Sequence, residues 1–155
     1  MGKINVARVI FGGLLAGLVI NISEFVLNMA VMARSMELAF RELDLPPPGG
    51  GVLAVYTVVG FLLGIATVWL YAGIRPRFGP GPTTAVIAGF VVWLLAYAWR
   101  LLDIGTIGLF DPGLLVLPAA WGLVEIVLAA LAGGWLYQEA NEHAEPEVGT
   151  GGPVA

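Results

Sequence analysis

Four long apolar runs, separated by short segments of proline, glycine and arginine, constrain this chain more than anything else in it. They cover residues 5–33, 52–74, 83–102 and 112–140. Each is long enough to cross the roughly 30 Å hydrocarbon core of a bilayer at about 1.5 Å per residue. Helices around a soluble core need a polar face, and these runs lack one. Charged residues make up 12% of the 155-residue chain, against about 25% in soluble domains. The chain reads as an all-α integral membrane protein, a four-transmembrane-helix bundle, with residues 1–140 as one transmembrane domain. Its surroundings are a lipid bilayer, a bacterial-type inner or plasma membrane.

Lys3 and Arg8 stand at the head of the first run in the manner of a signal peptide, but the run continues to about Met32. That exceeds the usual signal core, so a retained first helix is expected. Past it, residues 35–43 form an expected interfacial extension. Met32, Met36, Ala39 and Leu43 share one face there, and Arg34, Glu37, Arg41 and Glu42 lie elsewhere. Pro46 to Gly51 then reverse the chain. Segment 75–82, with Arg75 and Arg77, reads as a tight turn, and Pro82 suits the first position of the third helix. Segment 103–110 reads as an apolar connection. Asp111 and Pro112 read as cap and first residue of the fourth helix, with a kink expected at Pro118. The tail, 141–155, is acidic and glycine-rich, and disorder is expected.

Several chemistries fall away. The chain has no cysteine, and its one histidine, His143, lies in the tail. Haem, zinc and thiol sites therefore lack ligands, and no cofactor or metal is expected. The net charge of −4 comes with no basic patch for nucleic acid. P-loop, G-x-S-x-G and H-E-x-x-H motifs are missing, and an enzyme is not expected.

Basic residues set the expected orientation. With the N-terminus inside, the cytoplasmic side carries Lys3, Arg8, Arg75 and Arg77, and the outer side Arg34, Arg41 and Arg100. The acid-free turn at Arg75 and Arg77 favours both termini cytoplasmic. Trp69, Tyr71, Trp135 and Tyr137 would then form a cytoplasmic-side aromatic belt. Trp69-Leu70-Tyr71 matches Trp135-Leu136-Tyr137, and Val9 to Gly12 resembles Val86 to Gly89. These matches read as two helical hairpins repeated in parallel.

Chemistry concentrates on few residues. Gly13, Gly17, Asn21, Glu24 and Asn28 follow at steps of four, four, three and four, one stripe of a helix. A carboxylate at a helix centre costs roughly 2.5–3.5 kcal/mol on insertion scales, so an intramembrane acid marks function by default. Glu24 is therefore the leading candidate, with Asn21 and Asn28 one turn away on either side. Protonation is the cheap way to hold it there. Glu125, with Gly122, Ala129 and Ala132 on its face, is the second. Arg100, beside Asp103, is a third, as an outer gate or counter-charge. Packing alone accounts for the asparagines about equally well, and for the stripe of Gly13 and Gly17 and the pair Gly60 and Gly64 better than chemistry does.

Four helices, short loops and Glu24 in the first helix give an outline that resembles the small multidrug-resistance transporters. The likeness is one of shape: that family's motifs are missing, and the extension and tail are additional. Two functions are expected from the residues. One is a proton- or ion-coupled transporter or channel, working as a homo-oligomer through its membrane-embedded glutamate. The other is a non-catalytic scaffold or accessory subunit, whose glycine stripes pair with a membrane-protein partner.

Overall fold

The protein is described by a computed structural model over residues 4–108 and 112–137. The expected cap at Asp111, residues 138–140 and the tail lie outside the described residues. Helix α1 spans Val6–Val26, a π turn Leu27–Val31, α2 Ala33–Glu42, α3 Gly50–Phe78, α4 Pro82–Trp93, a second π turn Leu94–Ala98, α5 Trp99–Ile107 and α6 Pro112–Leu136. Four stretches are long and apolar enough to cross a membrane: Val6–Val31, Gly50–Phe78, Pro82–Ile107 and Pro112–Leu136. The fold is an all-α four-helix bundle.

Local chemistry sets the helix ends. Asn5 caps α1, its side chain accepting from the Arg8 N–H at 3.2 Å. Gly79, at φ +85°, closes α3 with its N–H on the Arg75 carbonyl at 2.8 Å. Pro82 opens α4, where its missing N–H costs nothing. Gly108, at φ +68°, ends α5 in the left-handed region.

Helices α1 and α4 each pack against both α3 and α6, and α3 also touches α6 across the middle. The contact faces are built from small residues. A Cβ on Gly64 would strike the backbone of Gly17 and come within 2.5 Å of the Gly13 carbonyl. A Cβ on Gly13 would come within 2.5 Å of the Ile65 backbone, and one on Gly17 within 2.7 Å of Phe61. Apolar surface lost to lipid gives no drive for helix pairing, so close van der Waals contact does the work. The large side chains Phe11, Phe25, Leu62 and Trp69 point outward, as a lipid-facing surface requires.

Boundaries and placements can be set against the sequence reading. The first run is helical from Val6 to Val31, as expected, with a π turn at its end, and it breaks at Met32 (φ −103°, ψ −3°), where the expected extension follows as α2. Arg75 and Arg77 do not lie in a turn, because α3 continues through Pro76 to Phe78. Pro76 has no N–H for the Ala72 carbonyl one turn back, and the helix ends two residues later, at Phe78. Segment 103–107, read as connection, is helical. The aromatic belt is split: Trp69 and Trp135 point out, 60% and 80% exposed, while Tyr71 and Tyr137 turn inward, each 3% exposed. Pro118 lies inside the fourth helix, which continues past it to Leu136.

The two inward tyrosines tie the ends of the helices together. Their rings meet edge to face at 6.0 Å. The Tyr137 hydroxyl accepts from the Asn5 N–H ahead of α1, and the Tyr71 hydroxyl from the Gly81 N–H ahead of α4, each at 3.3 Å. The Arg75 guanidinium lies 5.6 Å from the Tyr137 ring centre, within cation–π range. Thr84 adds a bond to the Gly79 carbonyl at 2.6 Å.

Candidate functional site

On α1 the residues of one stripe divide between two neighbours. Asn21 turns to α3. Its amide nitrogen donates to the Gly17 carbonyl at 2.8 Å and to the Thr57 carbonyl at 3.3 Å, and it fills the space above Gly60, where a Cβ would come within 2.8 Å of it. Asn21 is thus a clasp between two helices and does not touch the acids. Glu24, three residues on, turns the other way. Asn28 stays with it: its amide nitrogen donates to the Glu24 carbonyl at 2.8 Å and to Glu24 Oε2 at 2.9 Å. Glu24 is half-buried and Asn28 exposed.

Glu125 projects from α6 into the bundle and is 2% exposed. Tyr97, in the second π turn, joins it to Glu24. The phenol oxygen lies 2.9 Å from Glu125 Oε1 and 3.1 Å from Glu24 Oε1. Gly122 makes room for the ring: a Cβ there would come within 2.5 Å of Tyr97 Cε1. Two further bonds brace the cluster. The Trp93 indole donates to the Ala119 carbonyl at 2.7 Å, fixing α4 to α6 one turn from Tyr97. The Trp121 indole donates to Ser23 Oγ at 2.8 Å, fixing α6 to α1 beside Glu24. Both π turns fall at this site, one following Glu24 and one holding Tyr97, and π turns recur at functional sites.

The hydroxyl between the carboxyls can be counted. A phenol has one proton and can donate one hydrogen bond while accepting others. It can donate to one carboxyl only. The second short contact is a hydrogen bond only if the other carboxyl is itself protonated and donates to the phenol oxygen. The cluster as built therefore has room for one shared carboxyl proton. Glu125 Oε2 is buried with no hydrogen-bond partner.

Arg100 does not join the acids. It is exposed on α5, and no ion pair links it to Glu24 or Asp103 among the described residues. Tyr97 takes the place the sequence left open for a partner from that helix. Gly13, Gly17, Gly60 and Gly64 all lie in the α1–α3 contact. Tyr97, Ser23 and Trp121 were not among the expected site residues. The available signal was the step of four between Trp93 and Tyr97, and the step of three between Gly122 and Glu125. No group of three or more His, Cys, Asp or Glu able to hold a metal occurs among the described residues.

Comparison with known proteins gives no family model, no curated protein and no solved structure that matches this chain.

Proposed function

We propose that this protein moves protons, or an ion coupled to protons, across its membrane, with Glu24 and Glu125 as the proton-binding groups. One observation carries the reading: two intramembrane carboxyls, from α1 and α6, share one tyrosine hydroxyl. A pair of acids is expensive to keep in apolar surroundings, and its retention is accounted for by a proton that comes and goes. The orientation with both termini cytoplasmic fits the basic end of α3 at Arg75 and Arg77. A homo-oligomer is the favoured working form. Asn28 presents an amide on the outer face at the level of Glu24, and a neighbouring copy would shield that polar group from lipid better than hydrocarbon does.

The scaffold alternative has the glycine stripes and polar groups pairing with a partner, with the 35–43 extension and the acidic tail as docking surfaces. Gly13, Gly17, Gly60 and Gly64 are engaged within the chain, which weighs against the glycine part of that reading. Proton flux into liposomes across a pH gradient separates the readings. We expect flux in the wild type and a loss of about a hundredfold in Glu24→Gln, the lower end for removing a proton-transferring group, with folding retained. Absence of flux in both proteins would return the case to the scaffold.

A further inference from the structure

We infer that Tyr97 is the relay between the two acids, and that the proton passes from Glu125 through Tyr97 to Glu24. This rests on the transport reading above and assigns the order of the three groups within it.

The order follows from what each carboxyl is offered. Glu24 Oε2 accepts from the Asn28 amide at 2.9 Å, and Glu24 is only half-buried. A carboxylate there has donors on both oxygens once Tyr97 donates to Oε1. Glu125 is 2% exposed; its Oε2 has no hydrogen-bond partner at bonding distance, and the neutral Ser23 hydroxyl is its further side-chain donor besides Tyr97. A carboxylate there would leave a charged oxygen bare in the bundle, at a large desolvation cost. The neutral acid leaves only a carbonyl oxygen bare. The resting arrangement is thus Glu125 Oε1–H donating to the Tyr97 oxygen, and Tyr97 O–H donating to Glu24 Oε1.

That arrangement is a wire. The O–H bond on Glu125 breaks as a new O–H bond forms on the Tyr97 oxygen, while the original phenol proton passes to Glu24 Oε1. Glu125 ends as a carboxylate, the costly state, which lasts only until a proton is returned to it; Glu24 ends as an acid, and the phenol is neutral before and after. The proton moves from the interior of α6 to the exposed side of α1, where Asn28 reaches the outer face, and the negative charge moves the other way. The π turn at Leu94–Ala98 and the missing side chain of Gly122 aim the hydroxyl at both acids. Tyr97 thereby does what neither asparagine of the α1 stripe does, because Asn21 is spent on α3 and Asn28 touches Glu24 alone.

The test pairs liposome flux with infrared spectroscopy of the carboxylic acid C=O stretch, on the full chain at neutral pH. Tyr97→Phe keeps the ring in the Gly122 notch and removes the hydroxyl. We expect its flux to fall about a hundredfold, as for loss of a proton-transferring group. We expect a protonated-carboxyl band in the wild type that vanishes in Glu125→Gln and survives in Glu24→Gln. The infrared arm stands even if Tyr97→Phe fails to fold. Wild-type flux that survives Tyr97→Phe overturns the relay and leaves the transport reading intact. A band that vanishes in Glu24→Gln instead overturns the order. Absence of flux in the wild type removes the transport reading and the relay with it.

Discussion

At position 122 a methyl group would occupy the space of the Tyr97 ring, with Cε1 at 2.5 Å and Cδ1 at 2.6 Å. Gly122→Ala therefore changes no polar group yet displaces the phenol from the carboxyls. The expected outcome is a drop in proton flux close to that of Tyr97→Phe, with a stability loss of about 1–3 kcal/mol from overpacking. Flux and a denaturant titration in micelles, measured on the same preparation, check both. The two acids at this site were legible in the sequence, because the cost of a carboxylate in an apolar run singles it out whatever its neighbours are. Tyr97 was not. A tyrosine in a membrane helix fits an interface anchor, and only tertiary contact shows that its hydroxyl stands between Glu24 and Glu125. Asn21 misled in the opposite sense: it shares a helical stripe with Glu24, but the stripe crosses from the α3 contact to the α6 side between them.

Between elements, the α1–α3 contact is closest where glycine meets glycine. Gly64 lies against the Gly17 backbone and the Gly13 carbonyl, atoms that cannot yield by changing rotamer. Gly64→Leu is expected to part the two helices and abolish the folded monomer, read as loss of a cooperative unfolding transition. Gly73, on the same helix, is open: a Cβ there would meet nothing within 4 Å. Gly73→Ala should leave stability unchanged or raise it, by up to about 1 kcal/mol from helix propensity. The glycine spacing on both helices was readable as packing. The π turns were not, because each inserts one residue into a sequence that is a good α-helix by propensity, and only contacts with neighbouring helices decide where it goes. The end of α3 was missed for a related reason, since Pro76 punctuates the sequence more strongly than it does a helix about to end.

Across the whole molecule, one end of the bundle is sewn together by two tyrosines. Tyr137 holds the start of α1, Tyr71 the start of α4, and their rings touch. The two hairpins thus exchange equivalent ties, the tyrosine closing each second helix gripping the start of the other hairpin. The matching Trp-Leu-Tyr triplets hinted at this symmetry. They gave no sign that the tyrosines face inward while the tryptophans face out. Removing both hydroxyls, Tyr71→Phe with Tyr137→Phe, should cost about 0.5–1.5 kcal/mol per bond. Amide hydrogen exchange should speed up around residues 5 and 81 and stay unchanged around Glu24 and Tyr97. Equal acceleration at both places would mean that the bundle opens as one unit.

The bond from Trp121 to Ser23 has an optical consequence. The indole sits one helical turn before Glu125 and holds the residue next to Glu24. A proton arriving at or leaving either acid changes the electric field across that ring, and the colour of indole emission follows its local field. A variant retaining Trp121 as its single tryptophan would carry a built-in fluorophore at the site, able to report the occupancy of the acid pair in real time without any added label.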